Sequence, residues 1–517
     1  MRIYKYYDSI FQFLTTKSNP MSSYILSLDQ GTTSCRAILY DQKAKAVSVA
    51  QKEFKQHYPQ LGWVEHDALE IWQTQLQVVK DVMQKLNINA SSIAGIGITN
   101  QRETLVIWDR KTGLPIHPAI VWQDRRTVNE CEALKKQGWT EKIRQKTGLV
   151  IDAYFSATKA SWILKNVKGA KEKAQKGELA MGTIDTWLIW NLTKGVLHLT
   201  DVTNASRTML FNIHDLQWDT ELLQLFEIPS SLLPKVSSCS EILGMTHKEI
   251  LGAEIPLSGI AGDQHAALFG QLCLEEGTIK NTYGTGCFLM LNTGNQPIQS
   301  KNHLLTTIAF QWNNQTFYAL EGSVFMGGAT IQWLRDGIKI IPSSKETERI
   351  ASSVPDNGGV YFVPAMTGLG APYWNGYARG TILGITRGTT EAHLVRAALE
   401  GIAFQVNDVL KAMEADLGKS IKNLKVDGGA SSNELLMQTQ ANFSQMNVLR
   451  PKDVETTAKG VAFLAGLAVK FWKDIQELQQ LQDIDKSFMP NIDQQILSKH
   501  LRTWKKAVER AKNWEED

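Results

Sequence analysis

The chain has 517 residues, 43% of them hydrophobic and 21% charged, and a net charge of only +3. That length holds about three units of roughly 150 residues, or two large ones, and the near-balanced charge excludes a protein whose main partner is nucleic acid, which carries a marked basic excess. No apolar run approaches the roughly 18 residues of a membrane span, and the five cysteines (Cys35, Cys131, Cys239, Cys273, Cys287) are scattered without a CxxC pair, a usage that argues against a disulfide framework or zinc site and points to a cytoplasmic location.

Residues 1–20, MRIYKYYDSIFQFLTTKSNP, lack the apolar core and small-residue cleavage site of a signal peptide. They are expected to be a disordered extension, with Met21 as an alternative start. Tyr24–Leu28 and Arg36–Tyr40 are apolar runs joined by a polar, Gly-containing turn, the pattern of a β-hairpin, and Val47–Phe54 supplies a third strand. Leu69, Trp72, Leu76, Val79, Met83 and Leu86 recur every three or four residues, which predicts a helix with these side chains on its buried face. Asp67 is its expected N-cap and Glu70 the partner in a capping box. Ile93–Thr99 reads as a buried strand ending at Asn100-Gln101-Arg102-Glu103, and Ile255–Ala261 runs to Asp263 and a helix His265–Gln271.

The second half restarts the same logic. Thr278–Thr282 leads into the turn Tyr283-Gly284-Thr285-Gly286 and a returning strand, Cys287–Leu291. Leu424–Val426 then enters Asp427-Gly428-Gly429-Ala430 and a helix from about Ser432, Thr456–Phe471 reads as a buried helix, and an amphipathic helix bearing Leu497, Leu501, Trp504, Val508 and Ala511 closes the chain. Strands alternating with helices predict an α/β protein. The domain division expected is 21–271 and 272–517.

Phosphate-binding motifs narrow the chemistry. The only Gly-Lys-Ser, Gly418-Lys419-Ser420, has Met413 where a Walker loop needs glycine, and neither a strand-following GxGxxG nor an HRD/DFG set occurs. What the chain offers instead is two hairpin turns. Asp29-Gln30-Gly31-Thr32-Thr33-Ser34 combines a carboxylate, a glycine and three hydroxyls, and Tyr283-Gly284-Thr285-Gly286 is a second turn of this kind. Tight turns present several backbone N–H groups to an anion.

The segments LDQGTTS, NQRET, VWQDRRT, YFSATK, GIAGDQHAALFGQ, KNTYGTGCF, LEGSVFMGGATIQWLRD, GLGAPYWN, ARG and VDGGAS follow one another along the chain. As a set they closely resemble the FGGY carbohydrate kinases, in particular the glycerol-phosphorylating members, from about residue 24 to 515. The resemblance implies two ribonuclease-H-like lobes of the sugar kinase/actin/Hsp70 type, with ATP and substrate in the cleft between them. It implies ATP-dependent phosphorylation of glycerol with Mg²⁺, in a homodimer or homotetramer. Residue by residue, it implies that Asp263 is the catalytic base and also a substrate-binding residue, and that Arg102, Glu103, Tyr154 and Gln264 bind glycerol hydroxyls, with Trp122 and Phe288 as apolar walls. Thr32, Thr33, Ser34, Arg36 and Thr285 then contact nucleotide phosphates, Gly328, Gln332, Gly429 and Asn433 the rest of the nucleotide, and Asp29 holds the metal. His265 stands where many relatives have glutamine and is expected to matter little. A pentulose such as xylulose is the alternative acceptor, and a silent actin-like nucleotide sensor the alternative outside enzymes. The stretch 244–254, GMTHKEILGAE, lacks the Gly-rich, Arg-containing loop through which some relatives bind fructose 1,6-bisphosphate, so inhibition by that route is not expected.

Overall fold

The computed structural model describes residues 24–515, so the N-terminal extension lies outside the described residues. The chain forms two units. One runs through Leu272 and takes in Thr307–Phe317 and Thr457–Leu481; the other holds Cys273–Thr306, Tyr318–Thr456 and the chain from Gln482 onward.

In the first unit, β1 (Tyr24–Gln30), β2 (Ser34–Tyr40) and β3 (Ala46–Glu53) form an antiparallel meander. Helix α1 (Ala68–Lys85) crosses over, and β4 (Ile93–Asn100) returns parallel to β1. After a long insertion, β5 (Pro256–Gly262) adds parallel to β4, with the strand Ser240–Met245 outside it. β1, β4 and β5 are buried almost throughout, which is why they read as continuous apolar runs rather than alternating ones. One face of this sheet is covered by the helix Thr456–Ala468: a Cβ on Gly97 would lie 2.4 Å from the Val461 carbonyl oxygen, so only glycine lets the helix come this close.

The second unit repeats the arrangement. β6 (Ile279–Tyr283), β7 (Cys287–Gly294) and β8 (Gln315–Val324) are an antiparallel meander; α2 (Glu391–Leu417) crosses over, and β9 (Asn423–Asp427) and β10 (Asn447–Pro451) lie parallel to β6. Both sheets therefore contain the order 3-2-1-4-5, in which the first three strands are antiparallel and the last two run with the first. This is the ribonuclease-H-like topology, present twice, and the strand–turn–strand echo in the sequence is its visible part.

Two expectations about α1 need correction. Its buried face is Ala68, Ile71, Thr74, Gln75, Val78, Val79 and Val82, whereas Leu69, Trp72, Leu76, Met83 and Leu86 are partly buried flanks packed against the core. The periodicity of the large side chains marks the stripe's edge because its centre includes a small residue and two polar ones, with the Gln75 amide donating to the Arg36 carbonyl at 2.9 Å. Asp67 does cap the helix, accepting from the N–H groups of Leu69 and Glu70. The Glu70 carboxylate accepts instead from the Lys55 N–H, 3.3 Å away, because the chain after β3 passes closer than the cap backbone.

Strand register positions the rest. Gln30 pairs with Asn100 and Asn100 with Gly262, so β1, β4 and β5 end on one edge. Thr282 pairs with Asp427, which sets the ends of β6 and β9 side by side in the second unit. Ligands of open α/β sheets bind at such carboxyl ends.

Candidate active site

In the first unit the β1–β2 register sets Asp29 opposite Arg36, and their side chains form an ion pair of 2.8 Å. The turn between them is closed by the Gly31 N–H, which donates to the Ser34 carbonyl. Thr32 accepts from the indole of Trp122 at 3.0 Å through its hydroxyl and from Gln56 at 3.1 Å through its carbonyl. The Ser34 hydroxyl accepts from Gln51. Thr33 is exposed, and Ser34 and Arg36 are partly so.

At the end of β4 the backbone turns sharply and Glu103 takes a left-handed conformation, φ 62°, a region non-glycine residues visit rarely. Arg102 and Glu103 are both buried. Arg102 Nε lies 3.0 Å from Asp263 Oδ1 and 4.0 Å from Glu103 Oε1. Asp263 is the first residue of a helix, Asp263–Gly270, with Gly262 in the capping position. Its Oδ1 also accepts from the Gln264 N–H at 2.7 Å. Exposure separates the two acids: the Asp263 side chain is 33% accessible and that of Glu103 1%. Only Asp263 is open to a proton from outside.

Tyr154 meets Trp122 edge to face, ring centroids 5.6 Å apart. The Arg207 guanidinium lies 5.6 Å from the Tyr154 ring and 5.3 Å from Phe155, and its Nε donates to Glu103 at 2.7 Å. Lys159, fully buried, donates to the Tyr154 carbonyl at 2.9 Å. Burial pushes its pKa down to about 8 against the pull of Asp124, Glu103 and Asp152. The structure thus draws Arg102, Glu103, Trp122, Tyr154 and Asp263 into one neighbourhood with Thr32 at its edge. Arg207 and Lys159 belong to it as well and were missed. Lys159 lies within YFSATK, but Arg207 is 104 residues from Glu103 and carries no local signal.

The NQRET turn is braced from below. Gln101 donates to Gln30 at 3.2 Å and lies 3.3 Å from His66, whose other ring nitrogen meets Gln56 at 2.6 Å. Burial, with His57 nearby, lowers the His66 pKa from 6.5 to about 3. Between those pH values the unfolded chain binds a proton that the folded one refuses, so acidification destabilises the fold by about 1.4 kcal/mol per pH unit for this group. His198, lowered by burial to about 4, adds a like amount. His66→Gln is expected to flatten, but not abolish, the loss of melting temperature between pH 6.5 and 5; an unchanged slope in thermal-shift measurements would remove His66 from the account.

In the second unit the turn after β6 receives the start of the helix Gly328–Gln332. Gly328 donates to the Gly284 carbonyl at 2.8 Å, and Gly327 and Ala329 to the Thr285 carbonyl at 2.9 and 3.0 Å. Thr285 and Gly328 are therefore adjacent, and Thr285 and Gln332 are exposed. Gly428 has φ 83°, and a Cβ there would lie 2.6 Å from the Tyr283 carbonyl oxygen. Gly429 beside it is open, with nothing within 4 Å of where a Cβ would stand. Asn433 caps the helix Glu434–Ser444 through Leu436 N–H and donates to Thr347 at 3.1 Å. Phe288 lies on β7, opposite Thr282 and Ser323.

Comparison with known proteins decides the family. Models of the FGGY family of carbohydrate kinases match the chain twice, the N-terminal domain over residues 24–270 and the C-terminal domain over 279–469. The chain belongs to the FGGY family of carbohydrate kinases. It is 61% identical over 498 residues to a glycerol kinase of Parabacteroides distasonis, covering 96% of this chain and 100% of that one. It is 58% identical to a glycerol kinase of Burkholderia ambifaria over 494 residues, 96% and 99% of the two chains. Among solved FGGY-type structures, Plasmodium falciparum glycerol kinase with ADP superposes with a TM-score of 0.89 at 38% identity, over 94% of this chain and 98% of that one. A xylulose kinase of Lactobacillus acidophilus gives 0.82 at 24% identity over 94% and 96%, a likeness of fold.

Proposed function

We propose that this FGGY kinase transfers the γ-phosphoryl group of ATP to a terminal hydroxyl of glycerol, giving sn-glycerol 3-phosphate. The observation that carries the reading is the Arg102–Asp263 pair, in which a buried guanidinium holds a partly exposed carboxylate 3.0 Å away beside the Trp122–Tyr154 edge. Asp263 takes the proton of the attacking hydroxyl, the part an Asp plays in other kinase sites. A polyol hydroxyl both donates and accepts, so the acceptor Glu103 and the donor Arg102 suit it, with Tyr154 and Gln264 completing the set. Trp122 and Phe288 are assigned to the carbon chain. Thr32, Thr33, Ser34, Arg36 and Thr285 are assigned to the phosphates, and Gly328, Gln332, Gly429 and Asn433 to the remainder of the nucleotide.

Mg²⁺ fits Asp29. Among the described residues no three His, Cys, Asp or Glu side chains form a metal cage, and magnesium is held by one or two carboxylates, water and substrate phosphates rather than by such a cage. When bound, the ion neutralises charge on the phosphate oxygens. No described helix is long and apolar enough to cross a membrane, and five buried cysteines, all free thiols, support a reducing cytoplasm.

The test is ADP release by purified protein with Mg-ATP and glycerol, dihydroxyacetone, xylulose or no acceptor. Turnover with glycerol well above xylulose is expected. A preference for xylulose would overturn the substrate assignment, and no turnover with any acceptor would overturn the enzyme reading.

A further inference from the structure

Arg102 and Asp263 come from different strands, and their 3.0 Å contact depends on how the two strand ends are held. Asn100 and Gly262 form the last register pair of β4 and β5. Beyond it the ladder gives no further guidance, yet both side chains of interest follow directly. The segment 201–204, far away in sequence, reaches both ends. The Gly262 N–H donates to the Thr203 hydroxyl at 3.0 Å, and that hydroxyl donates onward to Asp201 Oδ2 at 2.6 Å. The Asn100 and Asn204 side chains exchange two hydrogen bonds, 3.0 and 3.1 Å. Asn204 in turn donates to Asp201 Oδ1 through both its backbone N–H, 3.0 Å, and its side-chain amide, 2.9 Å. Asp201 Oδ2 also accepts from the Thr203 N–H at 2.9 Å and from the Cys239 thiol at 3.2 Å. Asn100, Asp201, Thr203 and Asn204 are all 0% exposed.

We propose that Asp201, Thr203 and Asn204 are positioning residues: one buried carboxylate, through one hydroxyl and one amide, sets the separation of the two strand ends that carry Arg102 and Asp263. None of the three reaches a substrate. They act by fixing where the base stands relative to the guanidinium that orients it. An alignment error of about 1 Å at a base is enough to cost roughly a hundredfold in rate, and a buried, fully bonded network resists such drift better than a ladder end does.

The inference rests on Asp263 being the base, and the experiment separates the two. Thr203→Val keeps the shape and removes the hydroxyl; Thr203→Ser keeps the hydroxyl. Both are assayed with whichever acceptor the wild-type enzyme turns over. The expected result for Thr203→Val is a fall in kcat of about 10- to 100-fold, with the KM for ATP within about twofold of wild type and kcat largely restored in Thr203→Ser. Should Thr203→Val fail to fold, Thr203→Cys, whose sulfur is a weak acceptor, supplies the same comparison. Wild-type kcat in the folded variant overturns the proposal, as does an equal fall in Thr203→Ser, or a loss that appears in the KM for ATP instead. If Asp263→Asn retains activity while Thr203→Val loses it, the base assignment fails and the positioning claim fails with it.

Discussion

Replacing Asp263 with Asn lowers kcat by about 10²- to 10⁴-fold, the range expected for loss of a general base, while glycerol and ATP still bind. The side chain keeps its volume, and an amide oxygen in the place of Oδ1 can still accept from the Gln264 N–H, which lies 2.7 Å from Oδ1 in the wild-type chain. What goes is the ability to take a proton. Arg102 loses its 3.0 Å carboxylate partner, but Glu103 Oε1 remains 4.0 Å away, so the guanidinium is not left without an opposite charge. With the Asp263 side chain one-third exposed, the pair is partly screened and its loss costs little stability. Steady-state kinetics with titration calorimetry for both ligands checks each part. Turnover within tenfold of wild type would remove Asp263 as the base; loss of glycerol binding along with turnover would make it a binding residue.

The strands and helices were legible because their buried faces leave a period. β1, β4 and β5 are mostly apolar runs, and the hairpin turns are marked by Gly31 and by Gly284 with Gly286. The doubled topology showed only as an echo, since a strand order is set by pairings such as Gln30 with Asn100 that no local pattern encodes. The same limit applies to the helix Thr456–Ala468. Its burial could be read from its small residues, but not its place on the first unit's sheet, which follows from the space left at Gly97, some 360 residues earlier in the chain. In the candidate site, residues within compact motifs were named from the sequence. Those that support them were not: Arg207, Thr203 and Asn204 sit in a stretch with no motif of its own, and their partners, Glu103, Gly262 and Asn100, are 59 to 104 residues away. Polar residues buried by tertiary packing look, in sequence, like any polar residues.

Arg207→Met is expected to destabilise the first unit by about 3–5 kcal/mol, the cost of leaving one member of a buried ion pair alone. Arg207 and Glu103 are 0% and 1% exposed, with Nε 2.7 Å from Oε1. Methionine is flexible enough to fill the space, so the loss is electrostatic rather than steric. Arg102, 4.0 Å from the same carboxylate oxygen, compensates only in part because it also faces Asp263. The stranded carboxyl then takes up a proton more readily, since burial penalises its charged form. Neutralising it should therefore rescue the fold: Glu103→Gln combined with Arg207→Met is expected to be more stable than Arg207→Met alone, a coupling that marks a direct interaction. With two units in the chain, a single two-state unfolding energy is not defined, so the measurement is calorimetric, following the transition that shifts. A fall of roughly 5–8 °C corresponds to the predicted cost for a unit of this size, at about 2.1 cal/mol/K of unfolding entropy per residue. The KM for glycerol should rise in Arg207→Met, because Glu103, in its left-handed turn, depends on Arg207 for its orientation. A melting temperature within 2 °C of wild type, or a double variant no more stable than the single one, would show that the pair does not hold the turn.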